Sequence, residues 1–197
     1  MSDRGDPIAR FTALLDQARA LDRKILPEPT AFALGTVDAE GMPSVRIVLL
    51  KGVDAGGFVF YTNYESRKGR ELLAHPQAAM CFHWQPLEMQ VRVEGPAATV
   101  SDAEADEYFA SRARGSQIGA WASEQSRTLS RREDLEKRVA KYEREYEGKS
   151  VTRPKHWSGF RVMPERIEFW KGMPSRLHQR EVFLREANGW RTEILYP

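Results

Sequence analysis

The sequence predicts an α+β fold built on an antiparallel β-barrel with peripheral helices, in a single domain over residues 1–197. Three apolar segments with strand-like patterns follow one another closely, separated by the turns Asp38-Ala-Glu-Gly41 and Asp54-Ala-Gly-Gly57. Other segments have the apolar spacing of helices and lie between further strand-like segments. Because tight turns join successive strands, an antiparallel meander that closes into a barrel is the simplest architecture.

The N-terminal part is predicted to start with one helix and to continue as the meander. Apolar residues recur at helical spacing within 7–23, and Pro27 ends this segment, so residues 1–28 form an N-terminal helix and lead-in. The stretch between Arg46 and Lys51 is continuously apolar, which predicts a strand buried on both faces. The three strands of the meander are predicted at 32–37, 45–53 and 58–62.

The remainder of the chain is predicted to mix helices with strands. Ser66 is an expected N-cap for a short helix that ends at Ala74. Ser101 and Glu104 form a capping-box pattern, which predicts that another helix begins there and runs to about residue 111. Further helices are predicted at 117–123 and 129–146, and further strands at 78–84, 89–94, 160–162, 166–170, 182–185 and 190–195.

Composition and charge exclude several classes of protein. The chain has 30 Lys and Arg against 28 Asp and Glu, and a net charge of +2 argues against a general nucleic-acid binder. Its single cysteine, Cys81, forms no intrachain disulfide, which fits a reducing compartment. We find no apolar run of signal-peptide or membrane-spanning type. A cytoplasmic protein that binds neither nucleic acid nor membrane is therefore expected.

Motifs of the common hydrolases and metalloenzymes are missing from the sequence. There is no G-x-G-x-x-G and no Walker A segment, and the four histidines lack a metal-binding spacing. Gly115-Ser-Gln-Ile-Gly119 has its serine at the wrong position for a nucleophile elbow. Cys81 lies within an apolar strand pattern and is interpreted as a small core residue. We therefore expect no metal ion and no hydrolytic machinery.

Two groups of cations in the first half of the chain could bind an anion. Arg67 and Lys68 open a helix, where the first turn favours acidic residues, and an anionic ligand would resolve this conflict. The alternative is a solvated basic turn. Arg46 and Lys51 lie at the two ends of an apolar strand, where they could bind partners or simply extend to solvent.

Two further groups lie in the second half. Tyr108, Arg112 and Ser116 recur at a spacing of four and offer three donors suited to a phosphate, although a surface Tyr–Arg contact is the alternative. Arg176 and His178 alternate with Arg180, which would place all three on one side of a strand, near Trp170. Three adjacent basic groups repel one another unless an anion lies among them.

Nine segments of the chain, in this order, resemble the pyridoxamine 5′-phosphate oxidase family. The similarity runs from about Pro29 to the C-terminus. The segments are Pro43-Ser-Val-Arg-Ile-Val-Leu-Leu-Lys51, Phe58-Val-Phe-Tyr-Thr-Asn63, Ser66-Arg-Lys-Gly69, Gln90-Val-Arg-Val-Glu-Gly95, Tyr108-Phe-Ala-Ser-Arg112, Ser116-Gln-Ile-Gly-Ala-Trp-Ala-Ser123, Gln125-Ser126, Glu168-Phe-Trp170 and Arg176-Leu-His178.

This resemblance implies a split β-barrel and a homodimer with FMN bound between the subunits. It also implies oxidation of pyridoxamine or pyridoxine 5′-phosphate to pyridoxal 5′-phosphate, with O2 as the acceptor and H2O2 as a product. The implied cofactor residues are Arg46, Ile47, Val48, Leu49, Leu50, Lys51, Tyr61, Thr62, Arg67, Lys68, Gln90, Gln125, Ser126, Trp170 and Arg180. The implied substrate residues are Lys51, Tyr108, Arg112, Ser116, Arg176 and His178, of which Arg176 and His178 lie nearest the reacting carbon and are the expected catalytic residues.

Two alternative functions remain at this point. A paralogous FMN oxidase of the phenazine-pathway type would be expected to lose Tyr108, Arg112 and Ser116, all of which are present. A protein that binds FMN or pyridoxal phosphate without turnover is the second alternative. Gln179 leaves this alternative open, because the family usually has Asp at this position.

Overall fold

The computed structural model describes residues 5–197 as a curled antiparallel sheet with helices around it, which confirms the predicted α+β split barrel. The first four positions of the predicted lead-in lie outside the described residues. The helices are α1 (Pro7–Ala20), α2 (Arg67–Ala74), α3 (Asp102–Ser111), α4 (Arg114–Ala122) and α5 (Arg132–Glu145). The strands are β1 (Ala31–Val37), β2 (Pro43–Leu49), β3 (Gly52–Asp54), β4 (Gly57–Asn63), β5 (Gln77–Trp84), β6 (Met89–Thr99), β7 (Trp157–Val162), β8 (Arg166–Lys171), β9 (Gln179–Glu186) and β10 (Gly189–Leu195).

The long strand β6 joins the two parts of the sheet. Its first half pairs with β5 and β8, and residues 97–99 pair with β7. The main path of the sheet is β10-β9-β8-β6-β5-β1-β2, and β7 continues to β4 and β3. Because β6 is shared, the sheet curls around one core, and every pairing in it is antiparallel.

Helix α1 closes one side of this core. Asp6 caps it by accepting a hydrogen bond from Ile8 N, and Pro7 occupies the first helical position. Its buried face carries Phe11, whose ring lies 4.8 Å from that of Phe58 and 4.9 Å from that of Phe82, in edge-to-face contacts. No helix of residues 5–197 is both long enough and apolar enough to cross a bilayer.

The predicted strand 45–53 is wrong in two respects. The chain forms two strands here, β2 and β3, and among the strands of residues 5–197 β2 pairs only with β1. As an edge strand it is not buried on both faces, and the side chains of Val45 and Ile47 are 69% and 67% exposed. The apolar run therefore marks an uncovered apolar face rather than an interior strand.

Two other expectations are corrected by the local backbone. Arg176 and His178 do not share a strand with Arg180, because β9 begins only at Gln179. Ser175 and Arg176 have φ of 57° and 61°, so the chain turns there instead of extending. Cys81 is half-buried on the outer face of β5, since the alternate residues of that strand face the core.

Candidate active site

A cavity of about 480 Å³ opens between the edge strand β2, strand β4 and helices α3 and α4. This volume suits a small ligand or cofactor. Its walls are Ile47, Val48, Leu49, Lys51, Tyr61, Thr62, Asn63, Lys68, Tyr108, Arg112, Ser116, Gly119, Ala120, Ser123, Gln125 and Trp157. Eleven of these residues were predicted from the sequence as cofactor or substrate residues, and they come from six separate segments of the chain.

One wall of the cavity is aromatic. The Tyr61 ring, on β4, stacks on Tyr108 of α3 with centroids 4.0 Å apart and lies 5.4 Å from the parallel ring of Trp157. Burial, and then the carboxylate of Glu104, raises the pKa of Tyr61 to about 12. Its hydroxyl therefore keeps its proton at neutral pH and can act as a donor.

Lys68 supplies the cation at one end of the cavity. Its Nζ lies 3.1 Å from Thr62 Oγ1, 3.3 Å from Ser66 Oγ and 3.0 Å from Gln125 Oε1, all of which are uncharged acceptors. Burial, followed by the nearby Arg46 guanidinium, lowers the pKa of Lys68 to about 8. A half-buried ammonium in the first turn of a helix, whose hydrogen-bond partners among the described residues are all uncharged, is suited to an anion.

The start of α2 depends on two small residues. Ser66 caps the helix by accepting a hydrogen bond from Gly69 N at 3.2 Å. A Cβ atom at Gly69 would come within 2.5 Å of the Asn63 carbonyl oxygen, so only glycine allows α2 to lie this close to the end of β4. This close approach brings Lys68 to Thr62.

Arg112 supplies a second cation to the same cavity, at the C-terminal end of α3. Its guanidinium lies over the Trp157 ring, 4.5 Å from the centroid. Burial lowers the pKa of Arg112, and its Nη1 is buried without a hydrogen-bond partner in the described chain. A buried donor of this kind is costly unless a ligand supplies the acceptor. Tyr108 and Ser116 line the same wall, so the structure brings this predicted trio together.

Some predicted residues do not line the cavity. Arg46 and Arg67 turn towards the carboxylate of Glu71, with Arg46 Nη2 3.1 Å from Oε2 and Arg67 Nε 2.7 Å from Oε1. The Leu50 side chain is 3% exposed and packs in the core. Ser126 follows Gln125 in a turn with φ of 70°.

A second group of predicted residues lies on strands β6, β8 and β9. Gln90 pairs with Trp170 and Trp170 with Arg180 in adjacent strands. The ring of His178 lies 4.5 Å from that of Trp170, and Arg176 occupies the turn before β9. These residues form their own cluster, and none of them is among the walls of the cavity in this chain.

Sequence reasoning missed several functional candidates. Asn63, Ser123 and Trp157 line the cavity, and Trp157 begins β7 in a region without clear periodicity. Glu71 and Glu168 are buried carboxylates that bind arginines of the predicted cofactor set. The spacing of four between Arg67 and Glu71 was a signal for one of these ion pairs.

Comparison with known proteins gives a consistent result. A family profile described as pyridoxamine 5′-phosphate oxidase matches residues 19–146. A second profile, described as the pyridoxine 5′-phosphate oxidase C-terminal dimerisation region, matches residues 157–197. The chain is 62% identical to a pyridoxine/pyridoxamine 5′-phosphate oxidase of Myxococcus xanthus over 192 residues, which cover 98% of this chain and 92% of that protein.

Solved structures show the same fold. PhzG from Burkholderia lata, in complex with tetrahydrophenazine-1-carboxylic acid, superposes with a TM-score of 0.88 at 32% identity, covering 100% of this chain and 95% of that one. A pyridoxamine 5′-phosphate oxidase-related, FMN-binding protein from Nostoc punctiforme gives a TM-score of 0.75 at 15% identity, covering 98% of each chain. The second similarity concerns the fold alone.

Proposed function

This chain belongs to the pyridoxamine 5′-phosphate oxidase family, and from that premise we propose that it oxidises pyridoxamine and pyridoxine 5′-phosphates to pyridoxal 5′-phosphate with bound FMN. One observation carries the proposal. Lys68 and Arg112, two cations without carboxylate partners within residues 5–197, line a single cavity from different helices. A site for two phosphate monoesters, one on the cofactor and one on the substrate, needs such an arrangement.

The residues around Lys68 fit the phosphate end of FMN. Lys68 and the first turn of α2 would hold the phosphate, with Thr62 and Gln125 beside it. Ile47, Val48 and Leu49 give the edge strand an apolar side suited to the flavin ring. When bound, FMN would supply the hydride acceptor, and O2 would reoxidise the reduced flavin with formation of H2O2.

The trio of Tyr108, Arg112 and Ser116 would bind the substrate phosphate. Their hydroxyl and guanidinium donors line one wall, and the unsatisfied Arg112 Nη1 would gain an acceptor there. Lys51 lines the same cavity, and we assign it to both ligands. The protein contributes placement and charge, so the proposed reaction requires neither a catalytic triad nor a pair of acids.

The second cluster would complete the site from a partner subunit. Gln90, Trp170, Arg176, His178 and Arg180 lie away from the cavity of their own chain, and four of them fall within the region that matches the dimerisation profile. The exposed apolar face of β2, adjacent to the cavity, fits a homodimer contact. Arg176 and His178 would orient the substrate at its reacting carbon.

Hydrogen bonding defines how His178 would act. Its Nδ1 lies 3.2 Å from the backbone N–H of Met173 and accepts from it, so the neutral ring carries its proton on Nε2. This leaves an N–H donor for the amine or alcohol of the substrate.

The phenazine-pathway alternative has less support. Identity to PhzG is 32%, against 62% to the Myxococcus enzyme, and the phosphate-binding trio of the sequence prediction is intact. The second alternative, a protein that binds FMN or pyridoxal phosphate without turnover, is distinguished from the main proposal by a turnover assay.

The test is a spectrum followed by turnover. Purified protein should be yellow, and addition of pyridoxamine or pyridoxine phosphate under air should yield pyridoxal phosphate and H2O2. Yellow protein without either product would favour binding without turnover or another substrate. Colourless protein that FMN cannot reconstitute would overturn the proposal.

A further inference from the structure

Glu71 belongs to neither the cofactor set nor the substrate set, yet its carboxylate binds two residues of the cofactor set, Arg46 and Arg67. We propose that Glu71 is a positioning residue that holds Arg46 and Arg67 beside Lys68 for the phosphate of FMN. This inference rests on the proposed function, because it assumes that the flavin phosphate binds at Lys68.

The Glu71 carboxylate is enclosed by donors from three elements. Its side chain is 4% exposed and extends from α2 to strands β1 and β2. Oε2 accepts hydrogen bonds from Thr36 Oγ1, from Ser44 Oγ at 2.7 Å and from Arg46 Nη2 at 3.1 Å. Oε1 accepts from Arg67 Nε at 2.7 Å. Both oxygens are therefore committed to protein donors.

The two arginines are held differently. Both terminal nitrogens of Arg46 are already bound within the protein, since Nη1 donates to the Leu34 carbonyl at 3.2 Å and Nη2 to Glu71. Arg67 gives Glu71 only its Nε, and its side chain remains 53% exposed. Its Nη2 lies 4.0 Å from Asp38 Oδ2, beyond hydrogen-bond distance. Glu71 thus fixes the base of the Arg67 fork, while the tip has only a long ion pair with Asp38 to give up for a phosphate.

Charge explains why a carboxylate is needed there. Arg46, Arg67 and Lys68 are three cations around one helix start, and the pKa of Lys68 is lowered in part by Arg46 and raised by Glu71. Burial acts to raise the pKa of Glu71, but its four hydrogen-bond donors outweigh burial and bring it to about 2. Glu71 is therefore ionised throughout the working pH range and offsets the mutual repulsion of the cations.

Positioning and simple charge predict opposite results for Glu71→Gln. This variant raises the positive charge of the site, so a purely electrostatic effect would tighten the binding of the flavin phosphate. Loss of positioning would weaken it, and we expect the Kd of the apoprotein for FMN to rise about tenfold, the value of one lost charge-assisted contact. Flavin fluorescence quenching measures this Kd without any turnover.

Riboflavin, which is FMN without its phosphate, provides the matched ligand. Its Kd should change less than about twofold in Glu71→Gln, because only the phosphate contacts depend on Glu71. Glu40→Gln is the matched variant, since Glu40 is an exposed carboxylate in the same groove as Arg67 and forms no ion pair within residues 5–197. It should leave both Kd values unchanged.

A double-mutant cycle separates positioning from general destabilisation. In an Arg46→Ala/Arg67→Ala background, Glu71→Gln should alter the FMN Kd by less than about twofold, because the groups it positions are gone. Should Glu71→Gln fail to fold, Ser44→Ala removes one donor to Oε2 and should raise the FMN Kd about two- to threefold.

Different results would overturn the role of Glu71 and the phosphate site at Lys68. An FMN Kd that is unchanged or lower in Glu71→Gln, or an undiminished effect in the Arg46→Ala/Arg67→Ala background, would overturn the role of Glu71. Equal Kd values for FMN and riboflavin in the wild-type apoprotein would instead overturn the phosphate site at Lys68 and, with it, the proposed function.

Discussion

Lys68 Nζ lies 3.0 Å from Gln125 Oε1 and so connects the first turn of α2 with the loop that follows α4. The two residues are far apart in the chain, and each contributes to the cavity wall. The loop itself is held by ion pairs of its neighbours, in which Arg127 Nη2 lies 2.7 Å from Glu65 Oε2 and Arg138 Nη1 lies 2.9 Å from Glu124 Oε1. The cationic end of the site is therefore preorganised before a ligand binds.

The lowered pKa of Lys68 predicts a pH dependence of FMN binding. In the apoprotein the ammonium titrates at about 8, and a bound phosphate would favour the charged form and raise that pKa. The Kd should be constant below that value and rise above it, by up to about tenfold per pH unit, with uptake of a proton on binding. Titrations between about pH 7 and 9.5, where the phosphate is already ionised, measure this.

Two controls accompany the pH titration. Lys68→Arg keeps its charge throughout the range and should give a Kd that does not vary with pH. Riboflavin binding should show no such rise in the wild-type protein. A wild-type FMN Kd that stays constant up to pH 9.5 would contradict the assignment of Lys68 to the phosphate.

Replacement of Arg112 should separate substrate binding from cofactor binding. Arg112→Met removes a half-buried charge whose buried Nη1 has no hydrogen-bond partner within residues 5–197, so the melting temperature of the apoprotein should not fall. The KM for pyridoxamine phosphate should rise roughly 10- to 100-fold, as expected for loss of a charge-assisted phosphate contact. Steady-state kinetics and thermal unfolding test the two parts. Release of flavin by this variant would contradict the assignment of Arg112 to the substrate phosphate rather than to the FMN phosphate.

Glu168 should govern stability at low pH. Its side chain is 2% exposed and lies 2.8 Å from Arg180, 3.2 Å from Arg166 and 3.4 Å from Arg92. Burial acts to raise the pKa of Glu168, but these arginines lower it below its usual 4.5. Its contribution to the free energy of unfolding is therefore present above about pH 4.5 and is lost as the pH falls through the lowered value.

The matching substitution is Glu168→Gln, which leaves three guanidinium groups without their buried carboxylate. We expect the free energy of unfolding at pH 7 to fall by about 3 kcal/mol, and the difference from wild type to shrink on acidification. Urea titrations at pH 7 and pH 4 measure this, and the exposed Glu165→Gln is the control. An equal loss at both pH values would argue against the charge of Glu168 as the cause.

Local patterns explain which parts of the site could be predicted. Tyr108 and Arg112 are one helical turn apart, and the cap at Ser66 depends only on the residues beside it. Local spacing therefore predicted that the two side chains share a helix face and that α2 begins after Ser66, whereas the phosphate role of the pair came from the family resemblance. The apolar run of β2 predicted a strand in the interior. This prediction is wrong because the burial of a strand depends on which strands and helices lie beside it. No local signal shows that β2 pairs with β1 alone.

Other features depended on tertiary contacts or on unusual backbone. The positive φ of Ser175 and Arg176 interrupts the predicted strand alternation of Arg176, His178 and Arg180. Neither Ser nor Arg is a residue type that commonly adopts positive φ, so nothing in the local sequence indicated this turn. Glu71 gains its role only when α2 packs against β1 and β2. The sequence also could not show that Trp170 and His178 lie together outside the walls of the cavity, because this depends on how the strands pair.

That separation leads to a prediction about the two subunits. If the site combines Arg112 of one chain with His178 of the other, Arg112→Ala and His178→Asn chains should each form homodimers with little activity at substrate concentrations near the wild-type KM. A mixed dimer would then contain one site that carries both substitutions and one that carries neither. His178→Asn is the appropriate change because its side-chain oxygen can still accept the Met173 N–H bond while the Nε2 donor is lost.

Co-expression of the two variants with different affinity tags tests this arrangement. Random pairing gives half of the dimers as mixed species with one intact site, so oxidase activity should recover to about a quarter of the wild-type value. Tandem purification of the mixed dimer should raise this to about half, because every molecule then holds one intact site. Mixing the purified homodimers without subunit exchange serves as the control and should give no recovery. If the mixed dimers remain as inactive as the two parents, Arg112 and His178 act within one chain, and the turn at Ser175 must then move to bring His178 into its own cavity.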